Sequence, residues 1–194
     1  TMLQHVTRYA DITNNKPLII NHKIDEDRSV GNGIIGKGIS SHSSQYNGLS
    51  SRVNNVYTDF LTMIDVSDVN VIGIDEAQMF PDLYDAVQYW LSLGKHIYCS
   101  GLDGNFKAEN FGQVHRLLPI SDTFTKLLAV CHLCHKEQTS TGNVILPSSF
   151  IPAPFTTKIG GNMDQVIEQG GEDKYLPVCR YHFYKEEEDY EMTD

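Results

Sequence analysis

The stretch Val69-Asn70-Val71-Ile72-Gly73-Ile74-Asp75-Glu76 carries the strongest indication of the fold of this 194-residue chain. Its apolar, mostly β-branched run predicts a buried strand, and two carboxylates follow where that strand ends. Apolar residues at helical spacing then predict a helix from Leu83 to Leu91, with Gly94 as its C-cap. A further strand is predicted from His96 to Leu102. This alternation of strands and helices predicts a parallel α/β sheet.

The amino-terminal part of the chain continues the alternation, apart from one long loop. Apolar residues at helical spacing predict a helix over residues 2–10, and residues 17–21 predict a short buried strand. Residues 25–50 are rich in Gly, Ser and Asn, which predicts a loop. A second helix is predicted over residues 53–64, from the spacing of Val53, Val56, Phe60 and Ile64.

Three acids fall at the edge of the sheet where ligands are expected. Ligands of parallel sheets bind beyond the carboxyl ends of the strands, and Asp75, Glu76 and Asp103 all follow predicted strands. An apolar strand followed by an aspartate is the Walker B pattern, in which the aspartate holds Mg²⁺ directly or through water. Glu76 is placed to accept a proton from an attacking hydroxyl. Many strands end in solvated surface acids, and that alternative stays open.

Two residue pairs have the spacing of a zinc site, Cys131-His132-Leu133-Cys134 and Cys179-Arg180-Tyr181-His182. Two residues separate the members of each pair, so that one turn can present both ligands, and three thiolates with one imidazole suit zinc. Free cysteines with a surface histidine are the alternative. His132 and His135 could also compete as ligands. Cys99 is expected to stay outside the site, because it lies in a predicted core strand.

Composition and charge argue against two classes of protein. The net charge of −10, with scattered Lys and Arg, does not fit a protein that reads a phosphate backbone. The sequence shows no signal peptide and no apolar run long enough to span a membrane, so we expect an intracellular protein. Helical periodicity stops at Cys131, so we expect a small second domain there that is held by metal rather than by a core. Residues 186–194 are mostly acidic, which predicts a solvated, mobile tail.

Several blocks in the right order resemble the type II thymidine kinases, the zinc-containing family of cellular and poxviral type. The blocks are Val71 to Asp82, Gly101 to Phe106, Phe111-Gly112, Lys126 to Cys131, and Gly170 to Tyr175. The resemblance runs from about residue 1 to residue 185 and implies a P-loop (RecA-like) α/β domain over residues 1–130. It also implies a zinc-binding lasso domain over residues 131–185, followed by the acidic tail. The family's Asp-Glu-Gly-Gln is here Asp75-Glu76-Ala77-Gln78.

The resemblance implies an enzyme that transfers the γ-phosphoryl group of ATP to the 5′-hydroxyl of thymidine, and usually of deoxyuridine, for dTMP salvage. Its cofactors would be structural Zn²⁺ and the Mg²⁺ of ATP. The family commonly forms tetramers and is often inhibited by dTTP. We expect this protein to be cytoplasmic, with no nucleic acid or membrane as a partner. We therefore expect thymidine or dTTP to order the segment over residues 143–175, whose residues 143–163 look longer than in the family.

Residue roles also follow from the resemblance. Glu76 would be the general base. Asp75 and Gln78 would bind ATP and its Mg²⁺. Asp27 and Arg28, also ATP-binding, would lie near the phosphates. The substrate pocket would be formed by Leu102, Phe106, Phe111, Val166, Ile167, Glu168, Gln169, Gly170 and Tyr175. Zinc would be held by Cys131, Cys134, Cys179 and His182. The alternative for Phe106, Phe111 and Tyr175 is ordinary packing.

A phosphate loop of the form Gly-x-x-x-x-Gly-Lys-Ser/Thr does not occur in these 194 residues. Gly33 to Gly38 lacks the hydroxyl residue and a preceding strand, so it is interpreted as flexible loop. We expect the loop and its strand to precede Thr1, and this chain alone to be inactive. The alternatives are an inactive relative that binds deoxynucleosides or a protein, and a zinc-ribbon regulator on an unrelated ATPase fold. Glu76 argues against the first, and residues 170–175 against the second.

Overall fold

In a computed structural model of the chain, the described residues are 2–13, 15–25, 53–140, 150–168, 170–171 and 173–191. The predicted loop over residues 25–50, apart from its first residue, lies outside them, together with Asp27, Arg28 and the Gly33 to Gly38 segment. Gln169 and residues 141–149 lie outside them as well. The chain divides into two compact units. The first unit comprises Thr1–Asp103 and Asn110–Asp122, and the second comprises Gly104–Glu109 and Thr123–Asp194.

A parallel four-stranded sheet forms the centre of the first unit, as the sequence predicted. Its strands are β1 (Leu18–His22), β2 (Asn54–Thr58), β3 (Val71–Ile74) and β4 (His96–Cys99). Their spatial order is β2-β1-β3-β4, and every neighbouring pair is parallel. The described residues of this unit form the helices α1 (Met2–Thr13) and α2 (Leu83–Ser92). Single 3₁₀ segments occur at Lys23–Asp25, Leu61–Met63, Ala77–Met79 and Val114–Ile120.

The two inner strands are buried on both faces, which is why Leu18–Ile20 of β1 and the whole of β3 are unbroken apolar runs. Successive side chains of a strand point to opposite faces, and each face has its own apolar cluster. One cluster joins Ile20 and Ile72 to residues that include Leu61, Phe80 and Trp90. The other joins Ile19 and Val71 to α1 through Leu3 and Val6. The carboxyl ends of β3 and β4 are thereby fixed next to one another.

The helix predicted over residues 53–64 is wrong. Residues 54–58 form β2, which pairs with β1 from Asn54 opposite Leu18 to Thr58 opposite His22, and only Leu61–Met63 makes a helical turn. The apolar spacing fitted a helix by coincidence. The local run Val56-Tyr57-Thr58 consists of residues that favour strands, and pairing with β1 satisfies its backbone groups. Strand β4 also differs, because it lies at the end of the strand order and its Cys99 is exposed rather than in the core.

In the second unit, the part of the chain that the structure describes forms two small antiparallel sheets and two helices. Strands β5 (Ala129–Val130) and β6 (Pro152–Ala153) form one pair, and β7 (Phe155–Lys158) and β8 (Tyr175–Val178) form the other. The helices are α3 (His132–Ser140) and α4 (Arg180–Glu191). None of the helices among the described residues has the length and apolar character needed to cross a bilayer.

Three expectations about this part of the chain need correction. Helical structure does not stop at Cys131, because α3 begins one residue later; it buries no side chain, so apolar periodicity could not show it. The acidic end is not a tail from Glu186, because the backbone of α4 continues to Glu191. The unit also has a small apolar cluster, which contains two of the predicted ligands and is formed by Cys131, Ala153, Val178, Cys179 and Phe183.

Candidate active site and metal centre

The carboxyl end of β3 delivers Glu76 in a backbone conformation that few residues adopt. Its φ of 48° and ψ of 45° lie in the left-handed region, which costs a residue with a side chain about 1–2 kcal/mol. A 3₁₀ turn, Ala77–Met79, follows at once. Such strain persists where the surroundings hold it, and it is typical of functional sites. The strained position is therefore consistent with the general-base role predicted for Glu76.

Gln78 holds the Glu76 carboxylate. Its side chain is 3% exposed, and its Nε2 donates a hydrogen bond to Oε2 of Glu76 at 2.5 Å. Its Oε1 accepts a hydrogen bond from the backbone N–H of Leu102 at 2.9 Å. Both ends of the amide are thus engaged, and Gln78 ties the turn after β3 to the segment after β4. The hydrogen bond from Gln78 to Glu76 was not predicted. The family resemblance implied instead that Gln78 lies beside ATP and Mg²⁺.

Two glycines make room for Gln78. A Cβ atom on Gly101 would lie 2.5 Å from Oε1 of Gln78. A Cβ atom on Gly112, whose φ is 56°, would overlap the backbone carbonyl oxygen of Gln78. Both glycines belong to blocks that resemble the kinase family, and the structure supplies the physical reason for them. Side chains at either position would displace the residue that holds Glu76.

Asp75 is half-buried beside Glu76 and is held from the neighbouring strand. The hydroxyl of Ser100 donates a hydrogen bond to Oδ1 of Asp75 at 2.6 Å. The backbone carbonyl of Ser100 accepts a hydrogen bond from the N–H of Ala77 at 2.9 Å. Ser100 thus supports both sides of the turn. Sequence reasoning missed it, because the strand was predicted to continue to Leu102, whereas it ends at Cys99 and Ser100 follows it directly.

The residues predicted to form the substrate pocket fall in both units. In the first unit, the side chain of Leu102 is 50% exposed, whereas Phe111 is buried with 8% exposed. Phe106 belongs to the second unit, and so do Tyr175 and the segment over residues 166–170. Within that segment, Val166 is half-buried and Ile167 is exposed.

A buried lysine gathers several of the predicted residues of the second unit. The side chain of Lys158 is fully buried, and its Nζ lies 2.7 Å from Oε2 of Glu168. It also lies 5.1 Å from the ring centre of Phe106 and 5.6 Å from that of Tyr175. The hydroxyl of Tyr175 donates a hydrogen bond to the backbone carbonyl of Glu168 at 3.1 Å. Sequence reasoning missed Lys158, because a single lysine in a polar segment gives no signal of burial.

The carboxylate of Glu168 is fully occupied within the loop. Its Oε2 also accepts the N–H of Asn162 at 3.1 Å, and its Oε1 lies 2.7 Å from Nζ of Lys174. Lys158, and then Lys174, lower the pKa of Glu168 to about 2. Burial alone would lower the pKa of Lys158, but the hydrogen bond to Glu168 raises it above its ordinary value. Both groups are therefore charged at neutral pH, and the loop is closed by an ion pair.

The predicted metal ligands Cys131, Cys134, Cys179 and His182 come together in the second unit. Their ligand atoms all lie within 4.8 Å of one another. Nδ1 of His182 lies 3.5, 3.4 and 3.4 Å from the sulfurs of Cys131, Cys134 and Cys179, and the sulfurs of Cys134 and Cys179 are 3.8 Å apart.

These distances fit a tetrahedral ion. Zinc bonds of about 2.3 Å to sulfur and about 2.0–2.1 Å to nitrogen place neighbouring ligand atoms roughly 3.5–3.8 Å apart. Burial would raise the pKa of Cys131, but backbone N–H groups of Cys134 and Cys179 donate to its sulfur and lower it to about 7. Cys131 is thus prepared to bind as a thiolate. His132, His135 and Cys99 are not members of this group among the described residues.

Comparison of the sequence with known proteins places this chain in a family. The family model "Thymidine kinase" matches residues 1–183. The thymidine kinase of raccoon poxvirus is 37% identical over 130 residues, which are 66% of this chain and 64% of that protein. The thymidine kinase of rabbit fibroma virus (strain Kasza) is 30% identical over 187 residues, 95% of this chain and 88% of that protein.

The cytosolic thymidine kinase of Homo sapiens is 36% identical over 118 residues, 60% of this chain and 43% of that protein. The match thus spans less than two thirds of the raccoon poxvirus and human proteins, and most of the rabbit fibroma virus protein. The resemblance drawn from the sequence motifs is confirmed, since the family model covers both units of the chain. The chain belongs to the thymidine kinase family.

Proposed function

We propose that the protein transfers the γ-phosphoryl group of ATP to the 5′-hydroxyl of thymidine, and also of deoxyuridine, to supply dTMP by salvage. The observation that carries the proposal is the placement of Glu76. It lies beyond the carboxyl end of β3, where ligands of parallel sheets bind, in a strained conformation and with its carboxylate held by Gln78. Membership of the thymidine kinase family supports the same reaction.

Glu76 would act as the general base. Its carboxylate would accept the proton of the 5′-hydroxyl while that oxygen forms a bond to the γ-phosphorus and the bond to the ADP oxygen breaks. The hydrogen bond from Gln78 fixes the direction in which Glu76 accepts the proton. Since Gln78 is engaged at both ends, we assign it this role in addition to the expected one near ATP.

Asp75 would hold the Mg²⁺ of ATP, directly or through water, with Ser100 orienting its carboxylate. Mg²⁺ bound there would neutralise charge on the phosphates during transfer. Asp27 and Arg28 would lie near the same phosphates. The four parallel strands are compatible with the P-loop, RecA-like class, which we infer from the family.

The thymine base would be bound by Leu102, Phe106, Phe111 and Tyr175, and by the backbone of residues 166–170. Aromatic rings supply the flat apolar faces, and backbone groups of an ordered loop can read the polar edge of the base. The occupied carboxylate of Glu168 supports this division of labour, because Lys158 and Lys174 already bind that side chain and the contacts to the base would then come from backbone groups of the segment. Phe111 is buried, so only a small part of its ring would contribute.

The Cys131, Cys134, Cys179 and His182 group can hold a metal ion, and we infer that the ion is structural zinc. Zinc would join the start of α3 to the start of α4, and so fix both ends of the segment between them. Elemental analysis of purified protein should find one zinc per chain. A folded sample without metal would contradict this assignment.

We also infer a homotetramer, feedback inhibition by dTTP and a cytoplasmic location, with no nucleic acid or membrane as a partner. The acidic net charge supports the absence of a nucleic-acid partner. The human and bovine relatives are named cytosolic thymidine kinases, which supports the location.

The test uses protein expressed from the complete reading frame that contains these residues. Wild type should convert radiolabelled thymidine to a product retained on anion-exchange filters. Glu76→Gln should lower turnover by about 10²–10⁴-fold, the usual cost of losing a general base, while its circular dichroism is unchanged. Asp68→Asn removes an exposed acid before β3 and serves as the matched control. Turnover of Glu76→Gln close to that of the control would refute the role of Glu76, and inactive wild type would favour a binding protein.

A further inference from the structure

His182 presents its two ring nitrogens to two different groups. Nδ1 faces the three sulfurs at 3.4–3.5 Å. Nε2 lies 3.3 Å from Oε1 of Glu137. The imidazole is 7% exposed and the Glu137 side chain 69% exposed, so the carboxylate reaches the buried ring from the solvent side. Glu137 was not among the predicted site residues.

We propose that Glu137 is a positioning residue of the metal centre, which selects the tautomer and the ring orientation in which His182 binds zinc. The inference rests on the proposed zinc site. A neutral imidazole has one N–H group and one lone pair, and the metal requires the lone pair of Nδ1. The proton must then be on Nε2, and a carboxylate that accepts a hydrogen bond from Nε2 stabilises that tautomer.

The local structure explains how Glu137 reaches this position. Cys134 and Glu137 are three residues apart on α3, so their side chains lie on the same face of the helix. His182 lies in the first turn of α4, and this helix begins directly after Cys179. One face of α3 therefore supplies both a sulfur ligand and the acceptor for a ligand of α4. Tyr181 packs edge-on against the imidazole at 5.1 Å and is a separate restraint on the ring.

A contact with a carboxylate as exposed as that of Glu137 would normally contribute little to stability. The role of Glu137 should therefore appear in metal affinity rather than in folding. Removing the partner of a ligating histidine typically costs about 10–100-fold in metal affinity. Removing a negative charge near the ion would also weaken zinc binding, whether or not the carboxylate positions His182. The experiment must therefore separate these two causes.

Zinc affinity of the purified chain is measured by competition with a chromophoric chelator. Glu137→Ala should weaken zinc binding about 10–100-fold, and Glu137→Gln less, because its amide oxygen can still accept from Nε2. Asp164→Ala, which removes an exposed acid of the same unit, is the control and should leave the affinity unchanged. If wild type binds zinc and Glu137→Ala binds it with the same affinity, the inference is overturned but the zinc site is supported. Wild type that binds no zinc would overturn both.

The same substitution in a His182→Cys background separates positioning from charge. A cysteine has no second nitrogen, so Glu137→Ala should have little effect there if the carboxylate acts through the imidazole. An equal loss of affinity in both backgrounds would overturn the proposal and assign the effect to charge. If His182→Cys does not fold, imidazole proton NMR of the zinc-bound protein replaces it. Nε2–H should exchange slowly in wild type and faster in Glu137→Ala, and equal exchange would overturn the proposal.

Discussion

Replacing Gly112 with alanine should strongly destabilise the first unit, because two separate costs coincide at this position. The residue has a φ of 56°, and an added Cβ would overlap the carbonyl oxygen of Gln78 and lie 3.0 Å from its carbonyl carbon. These atoms belong to the backbone, so no side-chain rotation relieves the overlap. The chain cannot easily retreat either, since Gln113 accepts a hydrogen bond from the N–H of Tyr84 at 2.8 Å and donates one to the carbonyl of Pro81 at 2.5 Å.

The left-handed conformation costs a non-glycine residue about 1–2 kcal/mol, and overpacking costs about 1–3 kcal/mol. Gly112→Ala should therefore lower the free energy of unfolding by about 2–5 kcal/mol. Gly94 provides a matched control, because its φ is 73° and a Cβ there would meet nothing within 4 Å. Gly94→Ala should cost only the backbone term of about 1–2 kcal/mol.

Urea unfolding followed by tryptophan fluorescence measures this difference. Trp90 is the only tryptophan of the chain and is 2% exposed in the core of the first unit, so its emission reports the unfolding of that unit. Free energies come from linear extrapolation for wild type and both variants. If Gly112→Ala is no less stable than Gly94→Ala, the close approach to Gln78 does not constrain this site, and the reasoning is refuted.

Two further predictions concern the loop of the second unit. The pKa of Glu168 is about 2, below its ordinary value of 4.5, so its ion pairs stabilise the loop fully above about pH 4.5 and lose this effect as the pH falls towards 2. For wild type, amide protection in residues 159–168, corrected for intrinsic exchange, should fall as the pH is lowered through that window. In Glu168→Gln the same protection should already be low at neutral pH. Unchanged protection in the variant would contradict the ion-pair role. Saturating thymidine or dTTP should raise amide protection in residues 163–175, and unchanged protection with both ligands would remove this segment from the substrate pocket.

The sequence correctly predicted those helices and strands whose buried apolar residues recur at a regular spacing. Strand β3 and helix α2 were predicted correctly, because the spacing of their apolar residues matches their burial. Gly94 was correctly predicted to close α2, and its left-handed backbone is one that glycine adopts easily. The grouping of the four predicted ligands was also correct, because the spacing within each pair is local. Residues 54–58 were misread, because a helical spacing of four apolar residues coincided with a strand whose partner lies far away in sequence.

Other features gave no periodic signal at all. Helix α3 buries none of its side chains, so its sequence lacks an apolar stripe. Lys158 is buried because a carboxylate of the same loop neutralises it, and no pattern of hydrophobic residues reports such a pairing. Gln78 was assigned to a ligand by family resemblance, whereas its contacts with Glu76 and Leu102 depend on the packing of two separate segments.

Three residues share a physical role that the sequence did not predict. Gln78 holds Glu76, Ser100 holds Asp75, and Glu137 faces the ring of His182. A group that performs chemistry must be one of a few residue types at a fixed place on a strand or turn, so sequence can identify it. A group that positions it needs only a hydrogen-bonding atom at the right point in space, and many residue types on many segments can supply one. The strained backbone of Glu76 shows why such groups matter, because a conformation that costs about 1–2 kcal/mol persists only where its neighbours hold it.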